Sequence, residues 1–165
     1  MSAQETSIEK MVQQLADKLT AQGWMLATAE SCTGGMIAAA CTDLAGSSQW
    51  FDRGFVTYSN AAKAEMLGVP AELIAQHGAV SEEVVRAMAE GAICHSHAQV
   101  SIAVTGIAGP GGGSVQKPVG TVWVGWCVAN TTHTQLLTLD GSRQQIRHMT
   151  VHAALQRMTA LLTDQ

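Results

Sequence analysis

Ile8, Met11, Val12, Leu15 and Leu19 recur at helical spacing until Gly23, and Thr6 with Glu9 has the spacing of a capping box, which predicts a first amphipathic helix. Over 24–28 apolar and polar positions alternate. The segment AESCTGG and then MIAAAC follow, which reads as a strand, a tight turn and a helix ending near Gly46. The arrangement recurs: 53–58 is rich in β-formers, Ser59 and Asn60 are helix-capping residues, and AAKAEML is helical up to Gly68. Pro70 opens a short helix, Ser81 with Glu82 and Glu83 opens a longer one, and 100–105 is a compact apolar run of the kind found in buried parallel strands. GIAGPGGGSVQKP excludes regular structure. TVWVGWCVA and 133–139, joined through Asn130, Thr131 and Thr132, predict a hairpin, and 142–162 predicts a last helix. The pattern is that of the α/β class: a single three-layer α/β/α domain over residues 1–165 with a mixed, mostly parallel sheet.

Composition narrows the function classes. With 47% apolar and only 13% charged residues, the 165-residue chain buries a core easily and has little charged surface, which points to a homo-oligomer, taken as a dimer. A net charge of −4 without any Lys/Arg run argues against nucleic acid as a partner. The N-terminus lacks a secretory signal pattern and no segment has the length of a membrane span, so the expected location is cytoplasmic, with no membrane partner. Cys32, Cys41, Cys94 and Cys127 are far apart and without metal-ligand spacing, and His148 and His152 lack the intervening Glu of the HExxH pattern, so no metal site is expected.

Ser31 stands where a strand gives way to a helix and is followed by Cys32, Thr33, Gly34 and Gly35, so that backbone N–H groups and a helix N-terminus face an oxyanion or a phosphate. The alternative is a simple N-cap, with glycines that let helix and sheet approach. Tyr58 at a strand end and Lys63 in the first turn of the next helix project at the same sheet edge as Ser31 and Thr105, the edge where open α/β sheets bind ligands. Taken singly, Lys63 also reads as a solvated lysine and Tyr58 as an ordinary strand residue. The glycine-rich loop matches neither GxGxxG nor the P-loop pattern.

TAESCTGG, GFVTYSNAAK, HGAVS, VTGIAGPGGG and KPVGTVW, in this order, resemble the CinA C-terminal domain family over nearly all of the chain. The resemblance implies a nicotinamide-nucleotide amidase that converts nicotinamide mononucleotide to nicotinic acid mononucleotide and ammonia, a step in pyridine-nucleotide salvage, with no cofactor. It implies Ser31 as nucleophile and Tyr58 and Lys63 as its proton-handling partners. Thr105 and Gly106 would line the pocket beside Cys32, Thr33, Gly34 and Gly35, and Arg143 is the candidate phosphate contact. Longer relatives carry a further N-terminal domain with a pyrophosphatase activity, which this chain is expected to lack. The sequence departs from many relatives in having Ser142 where they have the Asp of a GDR motif. Val115 and Gln116 precede Lys117 where relatives place an acidic residue.

Amide hydrolysis needs an activated nucleophile, a stabilised oxyanion and a proton for ammonia. For Lys63 to be the base its pKa must fall, chiefly by desolvation, so Lys63 is expected to be buried. Two rivals remain at this point: a thiol amidase using Cys32, and a nucleotide-binding or protein-interaction module of the same family with weak or no catalysis.

Overall fold

The structure, a computed structural model, describes residues 3–165, with side chains from Ile8 onward. Helix α1 spans Ala3–Gln22 and buries Met11, Val12, Leu15 and Leu19, the stripe that the helical period predicts. Because α1 already begins at Ala3, Thr6 lies inside the helix, and its side chain falls outside the described residues. Strand β1 is Leu26–Glu30, buried at every position. Helix α2 is Met36–Thr42, and a 3-10 turn at Ser47–Gln49 leads into β2, Phe51–Val56.

Three helices then cross to the next strand: α3 (Asn60–Leu67), α4 (Ala71–His77) and α5 (Glu82–Cys94). The Ser59 and Ser81 hydroxyls cap α3 and α5 by accepting from the N–H groups of Ala62 and Val84. Strand β3 (Val100–Gly106), the loop to Gly120, the hairpin β4 (Thr121–Val128) and β5 (Thr131–Thr138), and α6 (Arg143–Thr163) complete the chain. The hairpin turns on Ala129 and Asn130, with φ of 49° and 68°, which releases Thr131 and Thr132 into β5. Ser142 and Gln145 form a reciprocal capping box at the start of α6.

The five strands lie in the order β2-β1-β3-β4-β5. β1 pairs in parallel with β2 and β3, while β3–β4 and β4–β5 are antiparallel, so four of the five strands run one way and β4 opposes them. Helices α1, α2 and α6 pack together on one face, over a core with Leu15, Leu26, Ile102, Trp126 and Leu155. Helices α3, α4 and α5 cover the other, over Ala27, Ala29, Val85, Met88 and Ala103. The alanines of β1 let α5 sit close to the sheet. Both faces being covered, β1 and β3 carry no polar alternation. Among the described residues no helix is long and apolar enough to cross a membrane. Also among them, no group of three or more His, Cys, Asp or Glu side chains is placed to hold a metal ion.

Candidate active site

The parallel strands β2, β1 and β3 end at one edge, and the chain leaves β1 at Ser31 there. Its N–H donates to Val104 O at 3.1 Å, and Glu30 O accepts from Thr57 N–H at 2.9 Å, so the nucleophile candidate is held in the sheet's own hydrogen-bond ladder. After β2 the chain turns upward at Thr57 and Tyr58, and the Ser59 cap starts α3 so that Lys63 lies on its first turn. Lys63 Nζ is 3.3 Å from Ser31 Oγ and 3.5 Å from Tyr58 O. The residue is 1% exposed. Burial pushes its pKa below the ordinary 10.5. A buried lysine with no carboxylate partner among the described ion pairs, in contact with a serine hydroxyl, is chemically suited to activating that hydroxyl.

Ser31, Cys32, Tyr58, Asn60, Lys63, Thr105 and Gly106 share a cleft of about 240 Å³ with Ala79, Val80, Ala108 and Arg143. Thr105 is buried, and its hydroxyl donates to Ala79 O at 2.9 Å, pinning the HGAVS segment against β3. At Gly106 an added Cβ would stand 2.7 Å from Val122 Cγ2, so the close approach of β3 to β4 requires glycine there. Larger hollows exist, such as one of about 540 Å³ between α1 and residues 44–50, but it gathers no nucleophile and no cation.

Tyr58 is 61% exposed. Its phenol oxygen accepts from Arg143 Nη2 at 3.0 Å, and Arg143 Nη1 donates to Gly109 O at 2.8 Å. Lys63 therefore meets Ser31 directly, with the Tyr58 carbonyl rather than the phenol beside it. Arg143 ties the glycine-rich loop and Tyr58 together at the cleft's rim.

The turn after Ser31 has a different economy from the one its sequence suggests. Gly34 and Gly35 adopt φ of 59° and 105°, which makes the tight reversal into α2. The first N–H groups of α2 do not face the cleft: Ile37 N and Ala38 N donate to the Glu30 carboxylate at 2.7 and 3.0 Å, and the buried Thr33 hydroxyl donates to it at 2.7 Å. Thr33, Gly34 and Gly35 accordingly do not line the cleft. From α6, Arg147 donates to Cys32 O at 3.0 Å and to Thr33 O at 3.3 Å. Sequence reasoning missed the roles of Glu30 and Arg147, whose backbone-directed bonds span seven and eight residues for Glu30 and more than a hundred for Arg147. The Cys32 thiol is 6% exposed. Burial pushes its pKa up to about 11, which disfavours the thiolate that a thiol nucleophile needs.

Fold and site together define an α/β protein with a serine–lysine pair in a cleft at the carboxyl edge of its parallel strands. The chain belongs to the CinA C-terminal domain family, whose model matches residues 8–162. It is 49% identical over 153 residues to a protein from Enterobacter agglomerans named nicotinamide-nucleotide amidohydrolase PncC, covering 92% of this chain and 93% of that one. To the protein of the same name from Escherichia coli K12 it is 48% identical over 155 residues, covering 93% and 94%. A solved structure from Agrobacterium tumefaciens, described as competence/damage inducible protein CihA, superposes with a TM-score of 0.91 at 47% identity, covering 94% of this chain and 95% of that one.

Proposed function

We propose that this protein hydrolyses the carboxamide of nicotinamide mononucleotide to nicotinic acid mononucleotide and ammonia. The observation that carries the mechanism is the buried Lys63 Nζ at 3.3 Å from Ser31 Oγ; the named relatives supply the substrate class. Neutral Lys63 takes the Ser31 proton as Oγ bonds to the carboxamide carbon. The C–N bond then breaks, the same proton goes to the departing nitrogen, and ammonia leaves an ester on Ser31. Water attacks this ester, one of its protons passes through Lys63 to Ser31 Oγ, the ester C–O bond breaks, and the carboxylic acid departs and gives its remaining proton to solvent.

The tetrahedral oxyanion needs donors, and the α2 N–H groups are already used by Glu30. With Ser31 O accepting from Gly34 N–H at 3.0 Å and Cys32 O from Arg147, the N–H groups of Cys32 and Thr33 sit on the opposite sides of their peptide planes. Of these two, only Cys32 lines the cleft, and its N–H is the oxyanion donor of this reading. A cleft of about 240 Å³ suits the pyridine carboxamide, with the phosphate left at the rim beside Arg143. Ammonia release from nicotinamide mononucleotide tests the proposal. Wild type should turn over, while Ser31→Ala should bind the nucleotide and release no ammonia. An active Ser31→Ala enzyme would refute the assignment, and a wild type that only binds would establish a binding module instead.

A further inference from the structure

Glu30 immediately precedes the nucleophile, is 1% exposed, and takes no part in the proton transfers described above. Its Cα is fixed in the middle of the sheet, paired with Val56 on one side and Val104 on the other. Its carboxylate reaches over the turn and takes three donors: Thr33 Oγ1 and Ile37 N on one oxygen, Ala38 N on the other. Ile37 and Ala38 occupy the second and third positions of α2, whose N–H groups an N-cap side chain normally serves. The N-cap itself is Gly35, which has no side chain to serve them.

We infer that Glu30 is the positioning residue of the nucleophile, a cap supplied from the preceding strand that closes the Ser31–Gly35 turn like a clasp and fixes where Ser31 Oγ and the adjacent N–H groups point. One end of the clasp is the rigid strand and the other is the start of α2, with the Thr33 hydroxyl held midway. The charge has no cationic partner among the described ion pairs. Charge-assisted hydrogen bonds and the positive end of α2 stabilise it instead. A neutral amide at this place would turn an NH₂ group toward an N–H or hydroxyl donor. One of the three bonds would be lost and the turn would relax. Glycines at 34 and 35 make that turn the most deformable part of the site once the clasp opens. This inference rests on Ser31 being the nucleophile of the proposed reaction.

The test compares wild type, Glu30→Gln and Thr33→Val in two assays. One is steady-state ammonia release from nicotinamide mononucleotide. The other is the rate at which a fluorophosphonate probe esterifies Ser31, which requires no nucleotide. In Glu30→Gln, kcat per folded molecule should fall about tenfold to a hundredfold, the scale on which small misplacements cost rate. KM should stay within about threefold, and the pH profile of kcat/KM should keep its midpoint, because Glu30 does not touch Lys63. Probe labelling should slow by a similar factor. Thr33→Val, which removes a single donor and leaves the backbone cap, should lose several-fold in kcat; it decides the matter should Glu30→Gln fail to fold. Wild-type kcat and labelling in the folded variants would overturn the positioning role while leaving the amidase intact, and a shifted pH midpoint would overturn it in favour of an effect through Lys63. A wild type that labels at Ser31 but releases no ammonia would sink the amidase reading alone, since labelling would still report on Glu30.

Discussion

Replacing Lys63 by arginine separates a base from a fixed positive charge. At the ordinary pKa of 10.5, about one lysine in a thousand is neutral at pH 7.5, and each unit of lowering multiplies that fraction by ten. Lys63 is 1% exposed, and burial is the leading cause of its lowered pKa; among the described ion pairs no carboxylate pairs with it to restore the charge. Arginine keeps the charge at every usable pH and cannot accept the Ser31 proton. Positioned acid–base catalysis contributes about 10²–10⁴-fold, equivalent to about 2.7–5.5 kcal/mol of barrier. Lys63→Arg should therefore lose at least about a hundredfold in kcat. Because a larger side chain strains a packed site by about 1–3 kcal/mol, thermal unfolding must accompany the assay. Lys63→Met serves as the partner variant, with similar length and no charge. The linkage sign is definite: below the lowered folded-state pKa, lysine is charged in both states and the burial penalty is complete. Between that pKa and 10.5 the unfolded chain binds more protons, so wild-type stability rises with pH. Lys63→Met, lacking the penalty, should melt at or above wild type near neutrality and lose its advantage toward pH 10.5, while remaining inactive. Wild-type kcat/KM should fall below an apparent pKa lower than 10.5. Near-normal ammonia release by folded Lys63→Arg across pH 6 to 9 would falsify the base assignment.

Cys32→Ala should keep most of the turnover, since its buried thiol stays protonated near neutrality; loss of activity on the scale of Ser31→Ala would reinstate the sulfur. Arg143→Ala should raise KM for nicotinamide mononucleotide much more than for the phosphate-free riboside, with a smaller common loss in kcat from releasing Tyr58 and Gly109; equal KM effects on both substrates would remove Arg143 from the phosphate site. Gly106→Ala should destabilise by about 1–3 kcal/mol, seen as a lower melting temperature, because its Cβ would stand 2.7 Å from Val122 Cγ2 and 3.1 Å from Thr121 O; an unchanged melting temperature would show that β4 yields.

Local signals located most elements because they act within one turn. Ser59, Ser81 and Ser142 mark helix starts that their hydroxyls cap. The structure departs from these local signals where tertiary bonds decide. Strand 24–28 reads as alternating, yet β1 is Leu26–Glu30 and buried on both faces, so alternation was no guide to its register. The run 53–58 is β-forming throughout, yet β2 starts at Phe51 and ends at Val56, because Phe51 packs against the core and Thr57 N–H goes to Glu30 O as the chain turns to α3. The helix expected to reach Gly46 stops at Thr42, and Gly46, at φ 82°, instead opens the 3-10 turn. Ser31, Tyr58, Lys63 and Thr105 are legible because strand ends and a helix start bring them to one edge, whereas Gly106 enters only through the family resemblance; all five line the cleft. Asn60 was visible only as a capping residue, although it is the first residue of α3 and lines the cleft. Thr33, Gly34 and Gly35 read as ligand contacts because a glycine turn before a helix commonly binds anions; what that reading lacks is the carboxylate of Glu30, already on the donors.

The cost of Lys63 weighs against a module that only binds. Holding a lysine at 1% exposure with no carboxylate partner among the described residues lowers stability, and its two contacts, to Ser31 Oγ and Tyr58 O, are too long to offset much of that. A site evolved to hold an anionic nucleotide would gain more from a charged lysine at the rim, free to meet phosphate. Burial serves a different end: it favours the neutral amine, which is the form that removes a proton from serine and the form useless for attracting an anion. Glu30 points the same way, since a carboxylate spent on the N-terminus of α2 withdraws from the ligand those N–H groups a phosphate site would use. Neither feature serves nucleotide binding, and both suit a fixed, proton-accepting environment around Ser31, the balance that the proposed hydrolysis would call for.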